Sequence, residues 1–320
     1  MRCLITGVEG FAGYHLGHQL LSRGDEVTGF HFPLTPPPAG YLPGLVTRSV
    51  DVNDALQTRN AMWEAAPDII FHLAAVANVK VSWENKRQAL ETNFLGAFSV
   101  LEAAATMPGR RPRVLLVGSS EEYGPVPPDR QPIGETCELD PRNPYGVSKV
   151  AQEHLGRYYF HSTSLPVHLV RSFNHIGPRQ APTFVASSFA YQIAQIEAGR
   201  LENTMSVGNL ETRRDFTDVR DTVRAYVSVV ERGAPGEVYN VCSGRPVLIA
   251  EILDRLVSLA HCEVRVKIDP ERYRPVDMPV FCGDATKIRQ QCGWAPQIDI
   301  ARTLADLLDY WRAQLGVKTS

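Results

Sequence analysis

Tyr145 and Lys149 stand four residues apart in the run Tyr145-Gly146-Val147-Ser148-Lys149. Asn143-Pro144 just before them is a helix-start signal, so the two side chains share one helical face. An ammonium beside a phenol favours the phenolate and draws its pKa below the usual ~10, which makes a tyrosine usable as an acid or base near neutrality. A surface tyrosine packed on a lysine stem would give the same spacing, so the pair needs company before it means catalysis.

That company lies upstream. Val117-Gly118-Ser119-Ser120-Glu121-Glu122-Tyr123-Gly124 leaves the end of a run that reads as a strand, and open α/β sheets bind ligands at their carboxyl edge. A Ser119 hydroxyl there can donate to a substrate carbonyl oxygen while Tyr145 supplies a proton, and Glu121 offers a base. A capped turn would use the same residues.

Gly7-Val8-Glu9-Gly10-Phe11-Ala12-Gly13 follows the first strand and opens the first helix, where bare backbone and helix amides suit a pyrophosphate. The spacing is GxxGxxG, and three glycines also suit a turn with close helix–strand contact. The position straight after a strand favours cofactor binding. An acidic residue is expected about 20 residues on to read the adenosine ribose. That stretch is Gly29-Phe30-His31-Phe32, with no carboxylate to repel a 2'-phosphate and no Arg or Lys beside His31 to attract one, so NADPH and NADH both stay open. Asp51-Val52 is placed either to touch the adenine edge or to cap a helix from Asn53 onward.

Elements to carry these groups are readable. Residues 3–6, 26–30, 68–74 and 113–117 read as buried parallel strands, and residues 14–22, 54–65 and 87–107 have helical period. The alternation predicts an α/β fold, a Rossmann-type doubly wound parallel sheet. Past Ser172 come helices over 184–198, 221–232, 249–260 and 301–314 and a strand over 237–241, a smaller C-terminal α/β substrate-binding part. The expected division is 1–172 for the NAD(P)-binding Rossmann domain with the catalytic residues and 173–320 mainly for substrate, the chain being free to cross back. Residues 33–43, rich in proline, read as an extended surface connection.

With 33 basic against 35 acidic side chains in 320 residues, the net charge of -2 leaves no footprint for nucleic acid. The six cysteines form no CxxC pair and no metal-ligand cluster, so no metal is expected and reduced thiols fit best. No signal-peptide core and no run of about 18 apolar residues occurs, so no membrane partner is expected and a cytoplasmic location is.

The glycine triplet, the Ser119 stretch and Tyr145 with Lys149 together resemble the extended short-chain dehydrogenases/reductases that modify nucleotide sugars, nearly end to end. The resemblance implies Ser119, Tyr145 and Lys149 as a catalytic triad with Glu121 beside it. It implies a cofactor site of Gly7, Gly10, Phe11, Ala12, Gly13, His31, Asp51, Val52, Leu73, Ala74, Ala75 and Asn93, with Tyr145 and Lys149 touching NADPH or NADH. In the second half, Arg171-Ser172-Phe173-Asn174-His175-Ile176-Gly177-Pro178, Val207-Gly208-Asn209-Leu210, the stretch from Arg214 to Asp221 and the stretch from Val238 to Gly244 resemble GDP-4-keto-6-deoxy-D-mannose reductases. Reduction of the 4-keto group to give GDP-D-rhamnose follows from that resemblance. So does a substrate site of Ser120, Glu121, Asn174, Arg179, Val207, Asn209, Arg214 and Arg274, with Asn174 and Arg274 at the diphosphate and sugar and residues 207–209 along the nucleoside.

Planar guanidinium groups suit a diphosphate, although Arg213-Arg214-Asp215 would also suit internal pairing. Ser119-Ser120-Glu121 matches the pattern of GDP-mannose 4,6-dehydratases as well, which keeps dehydration as the rival, with 4-epimerisation behind it. A silent NAD(P)-binding sensor or scaffold is the reading from another class. Related enzymes pair through the helices at 87–107 and 145–161, so a homodimer is expected.

Overall fold

The computed structural model describes residues 1–38, 40–272 and 278–317. The chain opens with β1 (Arg2–Thr6), α1 (Phe11–Ser22), β2 (Glu26–His31), β3 (Val46–Ser49), α2 (Ala55–Ala65) and β4 (Ile69–His72). It continues through α3 (Val79–Glu84), α4 (Lys86–Leu90), a π-helical turn at Glu91–Leu95, α5 (Gly96–Ala105), β5 (Arg113–Ser119), α6 (Pro144–Thr163) and β6 (Val167–Ser172). These strands pair in parallel in the order β6-β5-β4-β1-β2-β3, so the strand order reverses beside β1 and β4, where such sheets open a crevice for ligands. This is a Rossmann-type doubly wound sheet.

After β6 come β7 (Asn174–Ile176), α7 (Val185–Glu197), β8 (Thr204–Val207), β9 (Arg213–Asp218), α8 (Val219–Arg232) and β10 (Val238–Val241). The last stretch holds β11 (Pro246–Leu248), α9 (Ile249–Ser258), β12 (Arg265–Ile268), β13 (Val280–Phe281), α10 (Thr286–Cys292) and α11 (Ile300–Leu315). β10 re-enters the first sheet as its seventh strand, parallel to β6 with Val238 opposite Leu169. β9 pairs with β7, β11 and β13, and β8 pairs with β12.

Three cores follow from this layering. Leu16 and Leu20 of α1 meet Val223 to Val230 of α8 on one face of the large sheet, and Met62 of α2, Val100 of α5 and Tyr159 of α6 cover the other. Ile193 of α7, Leu253 of α9 and Leu307 of α11 close the third against β8 and β9.

Several boundaries differ from the sequence reading. α1 starts three residues before the expected Tyr14, because the glycine turn is already helical at Phe11. The helix expected over 87–107 is broken by the π-turn, which rotates Asn93 inward to zero exposure. Asp51 does not cap α2: its Oδ1 accepts the amide of Asn53 in a local turn, while Asp54 accepts from Gln57 as the true N-cap. β6 gave no clean apolar run because His168, Arg171 and Ser172 are all buried within it. β7, β9 and β11 are short or rich in polar residues, which is why periodicity passed over them.

Candidate active site

The carboxyl ends of β1, β4 and β5 and the start of α6 converge on one cleft. At β1, Gly7 has φ +72°, and a side chain on it would meet the backbone of Ala74 at 2.9 Å. Only glycine lets the turn lie so close to the end of β4. A Cβ on Gly13 would fall 2.3 Å from the Gly7 carbonyl, so the third glycine is needed for helix–strand contact. Gly10 caps α1 without any side-chain hydrogen bond. The first-turn amides of α1 are therefore left to an incoming anion, and this cradle fits the pyrophosphate of a dinucleotide.

Thr6 ties the two strand ends together. Its hydroxyl shares a 2.8 Å hydrogen bond with His72 Nδ1 and accepts the Ala74 amide at 3.2 Å. Burial pushes His72 down to about 3, so it stays neutral. Leu73, Ala74 and Ala75 remain partly exposed along this edge. Asn93 sits beneath them: it accepts the Val76 amide at 2.7 Å and donates to the Val76 carbonyl at 3.2 Å and to Ser148 Oγ at 2.8 Å. It fastens the loop after β4 to α6. At the far end of the cleft, His31 is nearly buried, with Nδ1 at 3.0 Å from the Phe32 carbonyl, and Val52 packs inward.

Asn143 starts α6 by accepting the Gly146 amide at 2.8 Å, and its Nδ2 donates to Glu121 Oε2 at 2.8 Å. The cap that sets Tyr145 therefore also sets Glu121. Ser119 Oγ accepts the Glu121 amide at 3.2 Å, which leaves its own hydrogen free to donate on the side of the Tyr145 phenol. Burial raises the Tyr145 phenol above its ordinary value, and the neighbouring Ser119 hydroxyl works against that rise.

Lys149 does not do what the spacing suggested. Its Nζ lies 5.9 Å from the Tyr145 ring centroid and donates instead to the Val117 carbonyl at 2.8 Å and to Gln152 Oε1 at 2.9 Å. Burial pushes Lys149 down to about 8, with the Glu122 charge opposing, and the phenol is raised rather than lowered. The physical reason is desolvation, which costs both charged forms more than their separation returns.

Sequence reasoning missed the layer beneath. Gln152, one turn beyond Lys149, holds its ammonium and also donates to Val117 O at 3.2 Å. Its i+3 spacing was the available signal. Glu122, with no exposure, accepts the Ser119 amide at 2.7 Å. Burial, with the Glu153 charge behind it, pushes Glu122 up to about 8. Arg171 grips Glu153 through two bonds of 2.8 and 2.7 Å and donates to the Tyr123 hydroxyl at 3.0 Å, which passes on to Asn240 at 2.7 Å. No local motif announces this network, because its members come from four elements.

The expected substrate residues are not gathered equally. Ser120 is buried beside Ser119. Asn174 is exposed on β7, next to β9, where Arg214 donates to the carbonyls of Arg213 at 2.9 Å and Met278 at 2.7 Å. Asp215 accepts from Ser243 and Gly244. Arg179 lies elsewhere, with φ +77° and its guanidinium 3.9 Å over the Tyr14 ring, beside the glycine turn. The Val207 side chain belongs to the third core, so it can line a nucleoside only through backbone, while Asn209 Oδ1 accepts the Glu211 amide. Arg274 lies outside the described residues. Among the described residues no group of three or more His, Cys, Asp or Glu could hold a metal ion, and no helix is long and apolar enough to cross a membrane.

Sheet, glycine cradle and Ser-Tyr-Lys constellation define an NAD(P)-dependent enzyme of the extended short-chain dehydrogenase/reductase class. Residues 4–307 match the family model described as GDP-mannose 4,6 dehydratase, and the chain belongs to that family. It is 33% identical to the GDP-6-deoxy-D-mannose reductase of Pseudomonas aeruginosa, over 98% of both chains. It is 30% identical to GDP-mannose 4,6 dehydratase 2 of Arabidopsis thaliana, over 96% of this chain and 85% of that one. Among solved structures, RMD from Pseudomonas aeruginosa complexed with NADPH superposes with a TM-score of 0.85 at 30% identity, covering 98% and 100% of the two chains. The Thermus thermophilus UDP-glucose 4-epimerase complex with NAD gives 0.86 at 29% identity, covering 98% and 99%.

Proposed function

We propose that this chain reduces the 4-keto group of GDP-4-keto-6-deoxy-D-mannose to GDP-D-rhamnose. The observation that carries the reading is the placement of Ser119 beside Tyr145 at the carboxyl edge of the sheet, in a chain similar over its whole length to a GDP-6-deoxy-D-mannose reductase. When bound, a reduced nicotinamide supplies the hydride for C4. Tyr145, kept protonated by burial, gives its proton to the oxygen that becomes the alkoxide, and Ser119 donates to that same oxygen. Lys149 and Gln152 line the floor below, where Lys149 would hold the cofactor ribose. Gly7, Gly10, Phe11, Ala12 and Gly13 would hold the pyrophosphate, and Asn174 and Arg214 would lie on the substrate side. Residues 1–172 together with α8 and β10 act as the cofactor-binding part, and the remainder carries the nucleotide sugar.

Dehydration of GDP-mannose is the second reading, favoured by one contact. Glu121 is held at the mouth of α6 by Asn143, where a carboxylate can serve as a base. The two reactions differ in cofactor balance. A reductase consumes one NAD(P)H for each ketosugar reduced, whereas a dehydratase makes ketosugar from GDP-mannose with no net consumption. Loss of NAD(P)H absorbance only when GDP-4-keto-6-deoxymannose is added is the expected result. Ketosugar formed from GDP-mannose alone would overturn the reductase reading.

We further propose a homodimer in the cytoplasm. Six free cysteines suit a reducing compartment. Leu95, Phe98 and Tyr158, on the π-turn, α5 and α6, are 42–62% exposed and suit a second copy of the chain.

A further inference from the structure

The end of β2 lacks the carboxylate that usually reads the adenosine ribose, yet a carboxylate stands there. Glu9, from the middle of the glycine turn, reaches across to β2: its Oε1 accepts the Phe32 amide at 2.9 Å and the Thr35 hydroxyl at 3.4 Å. Phe32 is the residue directly after β2, so the Glu9 carboxyl group occupies the strand end at which a ribose is read. Its second oxygen, Oε2, is buried and has no hydrogen-bond partner. The loop that follows holds the arrangement in place, since the Tyr41 hydroxyl donates to the carbonyls of Val8 at 3.1 Å and Glu9 at 3.2 Å.

We propose that Glu9 is the residue that selects the dinucleotide, its negative charge at the strand end repelling the 2'-phosphate of NADPH and leaving NADH favoured. The inference rests on the cofactor lying across the glycine turn as proposed above. Oε1 is engaged by Phe32 and Thr35 and Oε2 is enclosed, so the group acts on the cofactor through its charge and not by taking up a ribose hydroxyl. A 2'-phosphate brings a second anion to the same place, an arrangement that discriminates by repulsion. Two groups oppose it. His31 adjoins the site with Nδ1 turned to the Phe32 carbonyl. Arg179 is held against the Tyr14 and Tyr41 rings, with its guanidinium carbon 3.9 and 5.0 Å from their centroids. Arg179 is the cation from which a preference for NADPH would have to come.

Dissociation constants for NADH and NADPH, measured by calorimetry on the full chain without sugar substrate, test this. The expected result is NADH bound at least about tenfold more tightly than NADPH, a gap that Glu9→Gln narrows by about tenfold. Glutamine keeps an acceptor for Phe32 and removes only the charge, and Glu9→Ser serves if that variant does not fold. Equal affinities in the wild type, or a ratio unchanged in the variant, would overturn the role of Glu9. So would a preference for NADPH that collapses in Arg179→Met, which would assign selection to the arginine. Failure of both dinucleotides to bind would overturn the cofactor site itself, and this inference with it.

Discussion

Glu122 Oε1 accepts the backbone amide of Ser119 at 2.7 Å, so the hydroxyl that serves Tyr145 hangs from a carboxyl group with no exposure to solvent. Its pKa stands at about 8 against 4.5 for an ordinary glutamate, so the folded chain holds a proton that the unfolded chain has released. The stability this gives is complete below about 4.5 and is lost as pH rises through about 8. Glu122→Gln cannot ionise. Its melting temperature, followed by calorimetry, is expected to fall less than that of the wild type across this window, and parallel curves would show that Glu122 does not titrate there.

Tyr145→Phe keeps the ring and removes the acid. Ketosugar reduction is expected to drop by about two to four orders of magnitude, with dinucleotide affinity nearly unchanged. A purified, folded variant turning over at the wild-type rate would take the proton-donor role away from Tyr145.

Lys149 is protonated below about 8 and loses its charge above it. Because Tyr145 keeps its proton to higher pH, the alkaline fall in kcat/KM should report the lysine, and should begin near pH 8. Gln152→Leu takes away the amide oxygen that accepts from the ammonium, which favours the neutral amine and moves the fall to lower pH. A profile still flat at about pH 10 would contradict the assignment.

His168 is buried in β6 with neither ring nitrogen hydrogen-bonded. Burial lowers it to about 4 from 6.5, so the fold keeps it neutral, and stability held above pH 6.5 is lost as pH falls towards 4. His15 and His72 act in the same sense, at about 4 and about 3. His168→Leu removes two unsatisfied nitrogens at similar volume. It is expected to stabilise the chain at neutral pH by about 1 kcal/mol and to soften the acid loss, both readable by urea titration.

Phe98→Glu puts a charge among the exposed apolar side chains Leu95, Phe98 and Tyr158. Light scattering is expected to give a dimer for the wild type and a monomer for the variant. A monomeric wild type at working concentration would end the dimer proposal.

The doubly wound sheet was legible because β1, β2, β4 and β5 are largely buried runs set between helical stretches, and because Gly7, Gly10 and Gly13 follow the first of them, whereas β3, short and mostly exposed, was passed over. Tyr145 and Lys149 were legible as a pair sharing a helical face. The direction of their electrostatics was not, since it depends on desolvation by elements distant in sequence. Glu9 looked like a spacer between glycines, and only the folded turn brings it to Phe32. The π-turn that buries Asn93 left no trace in a helical period running from 87 to 107.

β10 has a consequence for the integrity of the fold. A fragment ending at Ser172 would bare the side of β6 that bonds to β10, with Val167, Leu169 and Val170 buried in the intact chain. It would also lose the α8 residues that cover Val170 and Tyr123 in one core. An unprotected, apolar strand edge of this kind invites strand addition from other copies. The N-terminal piece is thus a poor candidate for independent expression, and a protease cut in the stretch before α8 would be held together by the sheet itself.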